Sequence, residues 1–336
     1  LENHMPELRL NLVTREWVII ATERAKRPED FRASTPERAA LPPYAAECPF
    51  CPGNESKTSE ERFRISEGDA WKIRVVANKY PAVASRGDKQ WVPDGFRRSI
   101  TGVGLHDVII ESPAHNMNPA LMDVSYVNEI IDVYKKRFIE AHGDPRVEHV
   151  IIFRNHGEGA GTTIEHPHSQ IIGIPVVPVQ FRDRVQAAMH FFDNTGECLF
   201  CHTLNKEKGD GVRAVLETEH FFTFVPYAAL SPFHTWVFPK RHSAVFSDIR
   251  DDEAADLAVN LKAVLSKFYY GLENPDYNLV IKSSRPEDVK NEYCHWYLSV
   301  VPRVTKAAGF ELGSGMFINA SLPEESARFL RDAPVA

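Results

Sequence analysis

The chain reads as an α+β protein of two similar halves. Each half is an antiparallel sheet with one long amphipathic helix, and the two are related by internal duplication. Three observations carry this reading. Two C-x-x-C pairs occur, Cys48/Cys51 and Cys198/Cys201; the same order of strand, proline, histidine and helix follows each pair; and a histidine-containing segment closes each series. A chain of 336 residues, 43% hydrophobic and 25% charged, buries a large core and suggests two domains, expected at 5–178 and 179–336.

In chain order, Leu1-Glu2-Asn3-His4 ahead of Met5 looks like a vector-derived tail and is set aside. A strand over Trp17–Ala21 leads into Arg24-Ala25-Lys26-Arg27-Pro28. The proline fixes a turn that could aim Arg24 and Arg27 at a diphosphate, although a solvated surface explains such a cluster equally well. After the first cysteine pair, the apolar run His106–Glu111 predicts a strand and leads to Ser112-Pro113-Ala114-His115. Val127, Ile130, Ile131, Tyr134 and Phe138 then recur at helical spacing. A strand over Val147–Phe153 and a polar loop end in His166-Pro167-His168-Ser169-Gln170.

The second half repeats the series. Thr235–Phe238 predicts a strand, Pro239-Lys240-Arg241-His242 follows, and Leu257, Leu261, Val264, Leu265 and Phe268 mark a helix ahead of Gly271. Tyr277–Ile281 is the next strand, and His295-Trp296-Tyr297-Leu298-Ser299 closes the series. From His115 to His166 is 51 steps and from His242 to His295 is 53, so the halves differ by a loop adjustment. In this alignment His166 matches His295, whereas His168 faces Tyr297 and Gln170 faces Ser299. One half is therefore expected to be catalytic and the other structural.

A formal net charge of -7 argues against a surface that coats nucleic acid, which demands a basic face. Small anionic substrates remain open through local arginine and lysine. No apolar run approaches the roughly 20 residues needed to cross a bilayer, and no signal pattern opens the chain, so the cytoplasm is the expected address.

In a reducing compartment C-x-x-C spacing favours metal over disulfide. Zinc in structural sites takes four Cys or His ligands, and the repeat nominates Cys48, Cys51, His115 and His166 for one ion, then Cys198, Cys201, His242 and His295 for a second. Zinc is expected at both, with iron an alternative at one. His234 and His202 are rivals near the second pair, without counterparts in the first half by sequence. Cys294 reads as a core residue, and a redox dithiol would leave the matched histidines unexplained.

His168 is the nucleophile candidate. A neutral imidazole attacks phosphorus when its other nitrogen donates to a fixed acceptor, such as a backbone carbonyl. Side chains two apart on a strand share a face, so Gln170 can donate an amide proton to a phosphate oxygen while Ser169 points away. The loop Asn155-His156-Gly157-Glu158-Gly159-Ala160-Gly161-Thr162-Thr163 carries three glycines that let backbone amides approach an anion, or serve an ordinary flexible loop.

With H-P-H-S-Q, two C-x-x-C pairs, S-P-A-H and the repeat on the page, the chain resembles the galactose-1-phosphate uridylyltransferases, a branch of the histidine triad superfamily. The likeness runs from Leu10 through Glu311. It implies two histidine-triad-like halves, usually as a homodimer whose subunits complete each other's sites. It implies double displacement: His168 takes a uridylyl group from UDP-glucose, and galactose 1-phosphate collects it. Nucleotide-contact roles extend by resemblance to Arg24, Arg27, Asn78, Asn155, Gly161, Thr163 and Gln170. Lys306, Gly309, Phe310 and Glu311 match the hexose-phosphate segment, with Phe310 replacing the usual tyrosine. The following Leu312-Gly313-Ser314-Gly315-Met316-Phe317 lacks the hexose-contacting glutamine, and this segment also resembles a relative acting as an ADP-glucose phosphorylase through adenylyl-histidine and inorganic phosphate.

Overall fold

Alternating apolar residues on the strands, and apolar stripes on two long helices, leave one economical solution: a sheet with both helices laid on the same face. The computed structural model describes residues 5–21, 28–33 and 40–335. The first half supplies β3 (Glu61–Glu67), β4 (Ala70–Ala77), β7 (Leu105–Ile110), α2 (Val124–His142), β8 (His149–His156) and β9 (His168–Ile174). The second supplies β10 (Ala214–Glu217), β11 (Phe221–Phe224), β12 (Thr235–Pro239), α5 (Asp251–Gly271), β13 (Tyr277–Lys282) and β14 (Tyr297–Pro302). Between the halves lie α3 (Val179–Thr195) and α4 (Leu199–Asp210). At the periphery β1 (Glu7–Leu10), β2 (Trp17–Ile20) and β15 (Phe317–Asn319) form a small sheet, β5 (Trp91–Asp94) and β6 (Arg97–Ile100) an exposed hairpin, and α1 (Pro28–Ala33), α6 (Gly309–Ser314) and α7 (Pro323–Asp332) short helices.

The ten strands of the two halves join in one antiparallel sheet, in the order β3-β4-β7-β9-β8-β13-β14-β12-β11-β10. Read outward from the centre, each half has the same order. The seam is the pairing of β8 with β13, where Asn155 lies opposite Asn278 and Arg154 opposite Leu279. The α+β class and the repeat are as expected, but the halves share a single sheet because these two strands would otherwise be unpaired edges.

Register fixes the two faces. Ile109, Ile152, Ile171, Val237, Ile281 and Leu298 share a core with the buried stripes Val127, Ile130, Ile131, Tyr134 and Phe138 of α2 and Leu257, Leu261, Val264, Leu265 and Phe268 of α5. Burial of each such side chain contributes about 1.5–3 kcal/mol before conformational entropy is counted. On the opposite face Val108 and Ile110 pack with Cys48, Phe50 and Cys51, while Trp236 and Phe238 pack with Cys198, Leu199 and Phe200. Among the described residues, no helix is long and apolar enough to cross a membrane.

Candidate metal centres and active site

Both cysteine pairs converge with the expected histidines. Within Cys48, Cys51, His115 and His166, and again within Cys198, Cys201, His242 and His295, the potential ligand atoms lie within 4.8 Å of one another. Zinc–sulfur and zinc–nitrogen bonds of about 2.3 and 2.05 Å at a tetrahedral angle separate S and N by about 3.6 Å. Cys51 Sγ lies 3.6 Å from Nδ1 of both His115 and His166. Cys201 Sγ lies 3.3 Å from His242 Nδ1 and 3.4 Å from His295 Nδ1. The far nitrogens point the same way in both centres. His166 Nε2–H donates to the Ser112 carbonyl at 2.7 Å, His295 Nε2–H to that of Pro239 at 3.0 Å, and His242 Nε2–H to that of Asn291 at 2.9 Å. Each of these bonds leaves the Nδ1 lone pair toward the sulfurs, the tautomer a metal ligand requires. The donor set therefore fits a tetrahedral, thiolate-binding ion at both positions.

The two C-x-x-C corners are presented differently. Cys48–Cys51 is a turn in which the Phe50 amide donates to Cys48 Sγ and the Ala45 amide to Cys51 Sγ, both at 3.4 Å. Asn54 ties this turn to the Ala46 and Cys48 carbonyls. Cys198 instead caps the start of α4, and Cys201 lies in its first turn. A hydrogen bond from Cys201 favours thiolate on Cys198, and Cys201 is pushed up in consequence. The rivals fall away: His202 pairs with Glu197 at 2.9 Å, Cys294 lies in the helix-side core, and His234 bonds Ser299.

His168 stands at the first position of β9, buried. Its Nδ1–H donates to the His166 carbonyl at 2.8 Å, so Nε2 carries the lone pair. Burial pushes its pKa down to about 4; the bond to His166 opposes the shift and Arg154 adds to it. The ring is thus neutral at pH 7. Phe50 packs edge-on against it, with centroids 5.4 Å apart.

Ser169 points to the helix side as expected, bonding Glu111, with Tyr134 Oη 2.6 Å away. There Glu111 and Arg154, both nearly inaccessible, form an ion pair; Tyr134 Oη–H donates to Glu111 at 2.6 Å, and Arg154 Nε–H to Tyr277 Oη at 3.2 Å. Such a pair holds only because its remaining hydrogen-bonding capacity is met. Arg154 also reaches the His168 carbonyl at 3.5 Å, bracing the strand that carries the nucleophile candidate.

Gln170 emerges on the His168 face and meets Asn78 and His106, its Oε1 lying 3.4 Å from Asn78 Nδ2 and 2.8 Å from His106 Nε2. Across the seam Asn278 Nδ2 donates to Asn155 Oδ1 at 2.8 Å, which leaves the Asn155 amide hydrogens for other partners. Gly157 and Gly161, at φ 85° and 91°, bracket the turn Glu158–Ala160, a left-handed backbone that glycine alone adopts without strain. Thr163 is exposed just beyond. Arg24 and Arg27 lie outside the described residues. Lys306, Gly309 and Phe310 are exposed at the start of α6, where Glu311 accepts the Ala308 amide at 2.9 Å as a helix cap. The hydrogen bonds described for this segment are local.

Sequence reasoning missed His106, Asn278 and the Glu111–Arg154 pair. His234, set aside for want of a counterpart, has one in register. Val108 lies opposite Gln170 and Trp236 opposite Ser299, so His106 and His234 occupy equivalent positions two residues earlier. The spacing to the following metal ligand is nine residues in one half and eight in the other, which hides the match in the sequence.

Comparison with known proteins follows the same outline. Family models described as galactose-1-phosphate uridyl transferase, N-terminal domain and C-terminal domain, match residues 1–178 and 184–308. An ADP-glucose phosphorylase of Arabidopsis thaliana is 37% identical over 336 residues, covering 98% of this chain and 94% of that protein. A galactose-1-phosphate uridylyltransferase of Thermotoga maritima is 26% identical, covering 98% and 99%. A crystal structure of an Arabidopsis thaliana ADP-glucose phosphorylase with bound ADP-glucose superimposes with a TM-score of 0.81 at 33% identity, covering 98% of this chain and 100% of that one.

Proposed function

Since the chain belongs to the galactose-1-phosphate uridyl transferase family, we propose that it moves a nucleotidyl group from a nucleoside diphosphate sugar to a phosphate-bearing acceptor through a covalent bond to His168. The observation that carries this reading is the 2.8 Å bond from His168 Nδ1–H to the His166 carbonyl, which leaves a neutral ring with its Nε2 lone pair available.

Nε2 attacks the α-phosphorus, the bond from that phosphorus to the bridging oxygen breaks, and the sugar 1-phosphate departs. Positive charge developing on the imidazole is shared with the His166 carbonyl through Nδ1–H. Gln170 donates an amide proton to a non-bridging oxygen as negative charge gathers there. An acceptor phosphate oxygen then attacks the same phosphorus, and His168 recovers its lone pair. Asn78, Asn155 and the Gly161–Thr163 turn hold the nucleotide, and Arg24 and Arg27 the diphosphate. Zinc, held by Cys48, Cys51, His115 and His166, would act by fixing the segment before His168; its partner at Cys198, Cys201, His242 and His295 would staple the other half.

The donor we favour is ADP-glucose with inorganic phosphate as acceptor, because identity to the ADP-glucose phosphorylase is 37% against 26% to a uridylyltransferase over equal coverage. UDP-glucose with galactose 1-phosphate is the second reading, favoured by Glu311 in the segment that matches the hexose-phosphate contacts. Residues 5–178 are the catalytic unit and 179–336 the degenerate one. In a homodimer the exposed segment 306–311 would complete a neighbouring copy's site. The test is to incubate the protein with α-phosphate-labelled ADP-glucose or UDP-glucose and quench with denaturant. Retained label from ADP-glucose alone supports the first reading, retention from UDP-glucose alone the second, and none from either overturns nucleotidyl transfer.

A further inference from the structure

In the reading above the Gln170 amide donates to phosphate, and an amide has two ends. Which end faces the ligand is decided by what holds the other. His106, on β7 beside Gln170, answers this through its own proton inventory. The Ala82 backbone N–H donates to His106 Nδ1 at 3.1 Å, which requires a lone pair there and places the ring proton on Nε2. His106 Nε2–H then donates to Gln170 Oε1 at 2.8 Å. Asn78 is set in the same way: the Tyr80 N–H occupies its Oδ1 at 2.8 Å, so its Nδ2 is a donor that lies 3.2 Å from His106 Nε2 and 3.4 Å from the same Gln170 oxygen; with a proton on both nitrogens, that oxygen is the acceptor the two share. Two donors, each oriented by a backbone amide, converge on one carbonyl oxygen. The Gln170 NH2 group has one remaining direction, away from both.

We propose that His106 is a positioning residue that locks the Gln170 amide with its N–H groups toward the phosphate of the bound nucleotide; this rests on the His168 reading above. The duplicated half holds the control. His234 Nε2 lies 2.8 Å from Ser299 Oγ, the same contact at the same register. There the Trp236 indole N–H donates to His234 Nε2 at 3.0 Å, so that nitrogen is an acceptor and the proton runs the other way. The contact is shared by both halves. Only the half with His168 directs it so as to turn an amide outward.

Two substitutions separate positioning from a structural role for His106. In His106→Asn the side-chain oxygen can replace Nδ1 and keep the Ala82 bond, but nothing reaches Gln170. In His106→Gln the side-chain amide can replace Nε2 and keep Gln170 pinned, while the Ala82 bond is lost. Single-turnover labelling by the donor nucleotide sugar is expected to slow about tenfold to a hundredfold in His106→Asn, with nucleotide affinity altered less than about threefold, and to stay within about threefold of wild type in His106→Gln. In a Gln170→Ala background, His106→Asn should add less than about twofold. An equal loss in both backgrounds, or loss in the Gln variant with retention in the Asn variant, overturns positioning and assigns His106 to the loop. Nitrogen-15 spectra test the orientation without turnover. The Gln170 side-chain amide signals, identified by their loss in Gln170→Ala, should match between wild type and His106→Gln and move to free-amide shifts in His106→Asn. Unchanged signals in His106→Asn overturn the proposal, whereas a wild type that never labels overturns only the functional reading.

Discussion

At the start of β9 stand His166, His168 and Gln170; at the equivalent place on β14 stand His295, Tyr297 and Ser299. Metal-ligand geometry and the helix behind the sheet are common to both. What differs is the set of side chains in front of the strand. Val108 and Ile110 of the first half become Trp236 and Phe238, whose rings stack 5.6 Å apart at 11°, and Phe238 closes on Tyr297 at 4.9 Å. Lys282 takes the register of Asn155, and burial pushes its pKa down to about 8. Aromatic rings there occupy the register positions that Val108, Ile110 and His168 hold in the first half. Behind the strand the contrast reverses: Glu111, Arg154 and Ser169 of the first half face Pro239, Ile281 and Leu298 in the second. The half proposed to hold the ligand keeps a buried charge network under its nucleophile candidate, and the other half has apolar residues at the same positions.

The largest expected effect separates His168 from Tyr297. His168→Asn should reduce covalent labelling by about 10⁴-fold or more while leaving bound metal unchanged, because no other group supplies the attacking lone pair. Tyr297→Phe should alter labelling less than about threefold. Appreciable label in His168→Asn, located by peptide mapping at another residue, would break the division between the halves.

Metal ligands come next. His166→Asn and His242→Asn should each remove about one ion per chain, measured by elemental analysis, and each destabilise by about 3 kcal/mol or more. Only His166→Asn should also abolish labelling, since its carbonyl neighbourhood orients His168. Equal loss of labelling in both variants would mean that the second centre supports the site as closely as the first.

A third test addresses the layer behind β9. Arg154→Met leaves Glu111 buried without its partner and should cost about 3–5 kcal/mol in denaturant unfolding. Adding Glu111→Gln should recover more than half of that loss. Ile281→Val, at the matching place in the second half, should cost about 1 kcal/mol. Comparable losses at both positions would show that the charge network serves general packing.

The candidate metal ligands, the nucleophile candidate and both long helices were legible because their residue types are rare and their spacing is kept. The single sheet was not, because the β8–β13 seam joins ordinary strands whose patterns say nothing about which edge meets which. His106 escaped for a related reason. Its kinship with His234 lives in hydrogen-bonded register, and one residue of difference before the ligand histidine erases it from the linear alignment. Glu111 and Arg154 escaped because each follows an apolar run, Val108–Ile110 and Val150–Phe153, with nothing in the sequence to link the two, and only the third dimension pairs them.

The smallest expected effect is one of pH. An imidazole at its ordinary pKa near 6.5 would be about three-quarters protonated at pH 6 and would lose about fourfold in attacking power from pH 8. Burial holds His168 near 4, and its neutral form is the one that attacks. The labelling half-reaction should therefore change less than about twofold between pH 8 and pH 6, then fall toward pH 4 as the ring takes up a proton. The stability contribution has the same sign. A folded-state pKa below the unfolded one means that the unfolded chain binds the proton first, so stability is complete above about 6.5 and declines as pH drops toward 4. His149, buried on β8 and held at about 4, and His234, held at about 3, add to that decline from both halves. Labelling that falls fourfold by pH 6 while the unfolding midpoint stays level would place the titrating group on an ordinary, solvated imidazole and remove the buried ring from the reaction.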